Sequence, residues 1–232
     1  MKRVILTTCT CDNRYIDVLK VFLMSMRYHG NKDLIVADLI NGNKEMYAGL
    51  MRIYPNMEIN HIIIPEVTLL KLMHTRPPQM AKKLTEGWDQ IMSMDCDVII
   101  RGNIEGIWNN VEPSTIKIMD KGSTKKDNYR FQGGVYLFGV SQVIKDYYND
   151  IMDIIGGEFD FFDGQAALYR VYKNKYSKQI TKRNLSKKYN CSRFKKNSLV
   201  WHCKHAYLDN EKFQKEFQIY LKEANKYYDQ TQ

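Results

Sequence analysis

Gln90-Ile91-Met92-Ser93-Met94-Asp95-Cys96-Asp97-Val98-Ile99-Ile100 is the stretch on which the reading of this chain turns. Five uncharged residues, mostly apolar, run straight into two aspartates separated by one residue. Residues 90–94 read as a buried strand. In open α/β sheets, ligands bind beyond the carboxyl ends of the strands, which is where Asp95 and Asp97 would then stand. Two carboxylates at i and i+2, where a strand gives way to a loop, can share one hard divalent cation with water and phosphate oxygens. The spelling alone carries little, because Asp-x-Asp arises by chance on the order of once in a chain of this length. Its position after a strand carries more. The bland alternative is a pair of loop-capping aspartates.

Upstream, residues 3–9 are apolar and β-branched and predict a first strand. Asp12 or Asn13 can cap a helix whose apolar positions are Tyr15, Val18, Leu19, Phe22, Leu23 and Met26, with Gly30 as its stop. A second strand follows at 34–40, a helix at 43–54 closed by Pro55, and a third strand at 58–64. A helix opened by Pro77 and Pro78 runs to about Trp88. This alternation predicts an α/β fold: one Rossmann-like, mixed but mostly parallel sheet with helices on both faces.

Downstream the pattern loosens. Strands are predicted at 115–119, 131–138 and 199–203, and helices at 141–155 and 163–172. Asp209 would cap a terminal helix through Tyr228 with Phe213, Phe217, Tyr220 and Leu221 on one stripe. The expected division is a nucleotide-type half over 1–102, a substrate-shaping half over 103–205, and a C-terminal helix over 206–232 packed on them.

Composition bounds the rest. The chain has 232 residues, 44% hydrophobic and 26% charged, which suits a sizeable core and excludes disordered, collagenous and disulfide-stapled classes. Five cysteines, Cys9, Cys11, Cys96, Cys191 and Cys203, lie scattered with no repeated Cys-x-x-Cys and read as reduced thiols of a cytoplasmic protein. No apolar run approaches a membrane span or a signal-peptide core, so no transmembrane segment is expected.

The formal charge of +9 comes from one place. Residues 170–196 hold 11 basic side chains and no acidic one, while the remainder carries 24 basic against 26 acidic residues. Tyr172, Tyr176, Tyr189 and Phe194 are interleaved with these charges, a mixture that could neutralise phosphates and offer flat faces to bases. The alternative is a solvated, lysine-rich surface.

Three further motifs could carry chemistry. His202 ends the late apolar strand; alone it reads as a structural histidine, but neutral imidazole also coordinates Mn2+ beside carboxylates. Gly133-Gly134 lies inside a strand, which marks a bulge or a close backbone approach. Asp163 and Gln165 open a helix, where an N-cap is the simpler explanation.

Taken in order, these pieces resemble the nucleotide-diphosphosugar transferases of the A-type glycosyltransferase fold, and among them the glycogenin-like family 8 enzymes. Leu6-Thr7-Thr8 through Asp12-Asn13-Arg14-Tyr15 is similar to the family's base-binding region with Asn and Asp exchanged. Arg76-Pro77 resembles the basic residue that contacts donor phosphate or sugar, and Met94-Asp95-Cys96-Asp97-Val98 the Asp-x-Asp metal motif. Phe131-Gln132-Gly133-Gly134-Val135 is similar to Phe-Asn-Ser-Gly-Val, and Trp201-His202 to the late metal-binding histidine. The chain departs from the family at Gln132 and Gly133, at Asp163-Gly164-Gln165 in place of an adjacent Asp-Gln pair, and in the residues after His202, where Lys204 and His205 could substitute.

The resemblance implies transfer of a sugar from a nucleotide-diphosphate sugar, in particular a UDP-sugar, to an acceptor hydroxyl with retention of configuration. It implies Mn2+ or Mg2+ held by Asp95, Asp97 and His202. Donor contacts would come from Thr7, Thr8, Asn13, Tyr15, Arg76, Asp95, Gly133, Gly134 and Lys204, and catalytic groups from Asp163, Gln165 and Gln132. The acceptor could be polyanionic, such as nucleic acid or a lipid-linked glycan, drawn to residues 170–196. Two other readings compete: a basic nucleic-acid-binding protein or DNA-modifying glycosyltransferase using that segment, and a haloacid-dehalogenase-type phosphatase, whose nucleophile loop Asp95-Cys96-Asp97-Val98 also resembles. That phosphatase family carries the loop after its first strand, whereas here at least three strands come before it.

Overall fold

The computed structural model describes residues 1–11, 13–63, 80, 82–122, 130–155, 163–191, 196–202 and 211–230. Among the described residues the elements run β1 Arg3–Thr10, α1 Asn13–Tyr28, β2 Leu34–Ile40, α2 Lys44–Ile53, β3 Met57–Ile62, β4 Gln90–Met94 and β5 Val98–Ile100. There follow β6 Thr115–Asp120, β7 Phe131–Gly139, α3 Gln142–Ile155, α4 Asp163–Val171, β8 Thr181–Asn184, β9 Val200–His202 and α5 Glu211–Tyr228. Seven strands form a mixed, mostly parallel sheet in the order β3-β2-β1-β4-β7-β6-β8. A second sheet, absent from the sequence reading, pairs β5 with β9.

Two compact units divide the chain. The first comprises Met1–Leu6, Pro65–Met94 and Trp108–Ser186. Here β1 runs parallel to β4, β4 antiparallel to β7, and β7 antiparallel to β6. All five residues of β4 are buried, which explains its unbroken uncharged run: both faces are covered. β8 continues the sheet parallel to β6 from Thr181↔Thr115 to Asn184↔Ile118. Its sequence Thr-Lys-Arg-Asn carries no strand signal, because an edge strand needs only backbone pairing and tolerates charged side chains that discourage further pairing. Residues 82–85 are helical, as expected before β4; the rest of that helix lies mostly outside the described residues.

The glycine pair of β7 sits in a bulge. Ile118 pairs with Tyr136 and the next residue, Met119, pairs with Gln132, so Gly133, Gly134 and Val135 have no partner on β6. Glycine suits such a displaced segment because the backbone must leave regular strand geometry.

The second unit comprises Thr7–Ile64, Asp95–Ile107 and Lys187–Gln232. β2 and β3 pair in parallel, and α1 buries Leu19, Phe22, Leu23 and Met26. Gly30 ends α1 with φ of 67°, the left-handed stop predicted from sequence. Asn43 caps α2, its side-chain oxygen accepting from Met46 N–H at 2.9 Å. α1 also docks β5, since Ser25 Oγ accepts from the Ile100 N–H at 3.0 Å. The apolar stripe of α5 is core at Phe213, Phe217 and Tyr220, whereas its fourth expected member, Leu221, is only half-buried; Phe213 meets Trp201 edge-on at 5.0 Å. No described helix is long and apolar enough to cross a membrane.

Candidate metal centre

β5 and β9 are antiparallel with Val98 opposite His202, Ile99 opposite Trp201 and Ile100 opposite Val200. That register places the histidine beside the residue that immediately follows Asp97, which is how two groups 105 positions apart in the chain become neighbours. Both strands are wholly buried, so the pairing is set by apolar side chains and the histidine is carried in with them.

His202 Nε2 lies 2.9 Å from Asp95 Oδ2 and 3.2 Å from Asp97 Oδ1. One ligand atom from each of the three residues falls within 4.8 Å of the others. The imidazole is buried, whereas the two carboxylate side chains are about one-quarter exposed, so the triad opens toward solvent on its acidic side. On its other nitrogen, Nδ1 lies 3.1 Å from Asn190 Oδ1, itself buried. An amide oxygen accepts from Nδ1–H, so Nε2 is the nitrogen that faces the aspartates and would be the one to bind a cation. Asn190 is fixed by a parallel bridge: Cys191 N–H donates to Val200 O and His202 N–H to Cys191 O.

Burial disfavours the charged imidazole, but the Asp97 charge and the hydrogen bonds to Asp95 and Asp97 outweigh it and push the His202 pKa up to about 9. Without a cation, the histidine is therefore held protonated between two carboxylates. A divalent ion would replace that proton. The donor set fits one: two carboxylates and an imidazole suit Mn2+, and cis ligands with bonds of about 2.1 Å stand about 3 Å apart, close to both observed separations.

The structure assembles a second cluster in the first unit. Gln165, on α4, accepts from the Gly133 N–H at 3.1 Å, so the bulge released by the glycine pair is tied to that helix. Gln132 is buried on β7, as is Gly134. Asp163 is the first residue of α4, and its side chain lies outside the described residues. Thr7 is buried on β1 with no hydrogen-bond partner for Oγ1, Thr8 is half-buried, and Tyr15 is half-buried on α1. Asn13 opens α1 without a described side chain, and Arg76 and Lys204 lie outside the described residues.

Residues 170–196 depart from one expectation. Arg170, Lys173, Lys175, Lys178, Arg183, Lys187, Lys188 and Lys196 are exposed, but Tyr176 and Tyr189 are buried and Tyr172 is half-buried. The aromatic residues face inward, because the segment continues from α4 through a π-helical turn at Tyr172–Tyr176 into β8. The described part of it presents charge, not a stacking ladder. Asn190 and β8 were not found from sequence; nothing local distinguishes either from an ordinary polar loop.

The fold is that of the A-type glycosyltransferases. It superimposes on the solved structure of the galactosyltransferase LgtC in complex with donor and acceptor sugar analogues, with a TM-score of 0.64, 95% of each chain covered and 11% identity. No family model matches the sequence. No curated protein matches it either.

Proposed function

We propose that this protein is a metal-dependent glycosyltransferase that moves a sugar from a UDP-sugar to an acceptor hydroxyl with retention of anomeric configuration. The observation that carries the reading is the convergence of Asp95, Asp97 and His202 within a fold shared with a sugar transferase. These residues would hold Mn2+ or Mg2+, which when bound supplies positive charge to the diphosphate as the nucleotide leaves. Asn190 keeps the His202 ring oriented for that task.

In this reading residues 1–102 form the nucleotide-sugar-binding half, and 103–205 shape the acceptor side and add donor contacts of their own. Thr7, Thr8, Asn13 and Tyr15 bind the nucleotide, and Arg76 and Lys204 add fixed charge at the diphosphate. Gln132, Gly133 and Gly134 contact the donor sugar. Asp163 and Gln165 stand at the anomeric carbon and the acceptor hydroxyl. The acceptor oxygen bonds to the anomeric carbon on the face from which the phosphate oxygen departs, and the hydroxyl proton passes to that phosphate. Free thiols at Cys9, Cys11, Cys96 and Cys191 suit a cytoplasmic setting.

The test is a thermal-shift screen of nucleotide sugars with and without Mn2+, followed by assay of donor hydrolysis. A UDP-sugar is expected to raise the midpoint only with the metal, because a ligand stabilises a fold in proportion to its preference for it. Stabilisation by no nucleotide sugar under any metal condition would contradict the reading.

A further inference from the structure

β4 and β6 both run antiparallel to β7, so within the first unit the carboxyl ends of β4 and β6 and the start of β7 lie at one edge of the sheet. At that edge Asp120, the last residue of β6, binds two cations at once. Arg130 Nε donates to its Oδ1 at 2.7 Å, Lys182 reaches its Oδ2 from β8, and the Gly122 N–H adds a third donor at 2.9 Å. The Asp120 side chain is nearly buried, whereas Arg130 and Lys182 each keep about a third of their side chain exposed. Burial works against the Asp120 charge, yet Arg130, Lys182 and the Gly122 N–H together hold the carboxyl well below the usual range. One cation would neutralise this carboxylate. A second leaves the cluster at net +1.

The donors are not used up. Among the described residues, the terminal nitrogens of Arg130 have only a 3.5 Å contact with the Tyr169 hydroxyl, over whose ring the guanidinium also lies. Tyr169 sits one helical turn beyond Gln165 on α4, on the same face. The helix that holds the β7 bulge through Gln165 therefore also flanks Arg130. Two cations locked by a buried carboxylate, with N–H groups unspent at the ligand-binding edge of the sheet, are pre-organised for an oxyanion.

We propose that Arg130 and Lys182, clamped by Asp120, form a subsite for an anionic group, a phosphate or a carboxylate, on the acceptor. The assignment to an acceptor rests on the transferase reading; the anion site itself does not. Full-length 15N-labelled protein is titrated at constant ionic strength with inorganic phosphate, with D-glucuronate and with neutral D-glucose, following the Arg130 Nε–Hε resonance. Saturable shifts with an anion but not with glucose are expected; Lys182→Gln, read at the same resonance, and Arg130→Gln, read at the Gly122 amide that donates to Asp120, should each weaken binding by about tenfold.

Response to phosphate alone names a phosphorylated acceptor, and response to glucuronate an acidic sugar; either supports the site. An Arg130 resonance unmoved by both anions, or moved equally by glucose, overturns it. The wild-type titration decides the question even if a variant fails to fold. Donor hydrolysis by the wild-type protein is scored separately: hydrolysis without an anion response removes the subsite alone, and an anion response without hydrolysis removes the transferase reading alone.

Discussion

At His202 the proposed metal would compete with a proton for one ring nitrogen. The proton is held well, with a pKa near 9 against an ordinary value of 6.5. Since the folded-state value is the higher, the stabilisation from the protonated imidazole is fully present below pH 6.5 and disappears as pH rises through 9. Occupancy of the proposed metal site would run the other way. Between pH 7 and 9 the apparent Mn2+ affinity should rise by about tenfold per unit, because each ion bound displaces one proton. Mn2+ titration by electron paramagnetic resonance across that range checks the slope, and a flat profile would show that His202 is not a ligand. Asn190→Ala removes the Nδ1 partner and should cost about 10- to 100-fold in metal affinity while leaving the ligands in place. An unchanged affinity would reduce Asn190 to packing.

Among the elements, the strands that carry periodic or continuous apolar runs were readable, and the rest were not. β2 at Leu34–Ile40 and β4 at Gln90–Met94 match their predicted bounds, because buried strands need apolar residues at nearly every position. β5 escaped because three residues are too few to show a period, and although a strand was expected at 199–203, nothing local says that the two pair across 100 positions. So Asp95 and Asp97 could be placed from their preceding strand, whereas His202 needed the likeness to a family to single it out, and Asn190 needed the structure. The element-scale prediction concerns Gly139, which ends β7. A Cβ there would run into the Glu112 backbone carbonyl. Gly139→Ala should therefore destabilise the protein by about 1–3 kcal/mol, read from the midpoint of urea unfolding, with Mn2+ binding by the folded fraction intact. Wild-type stability would mean that the segment around Glu112 yields freely.

For the whole chain, the alternation of strand and helix up to β4 was enough to name an α/β fold, while the later half had to be built from pairings of distant residues. The terminal helix shows how such closure works within the second unit. Arg52, on α2, donates to the carbonyls of Tyr227 and Tyr228 at 3.0 and 2.6 Å, satisfying groups left open at the end of α5. Lys20 stacks its ammonium 3.9 Å from the Tyr228 ring centre, and Gly49 leaves room for that ring, which a Cβ would approach to 2.6 Å. Arg52→Ala should loosen the helix end and cost about 2 kcal/mol, visible as faster amide exchange over the last turn of α5. Exchange at the wild-type rate would show that apolar packing alone holds the helix.

Whether Asp95, Asp97 and His202 together grip a divalent cation is decided by Mn2+ titration of the wild-type chain and of Asp97→Ala, each with and without UDP. The wild-type chain is expected to bind a single Mn2+, more tightly when UDP is present, and the variant to lose both the site and the UDP effect. Equal Mn2+ binding by the two proteins would contradict it.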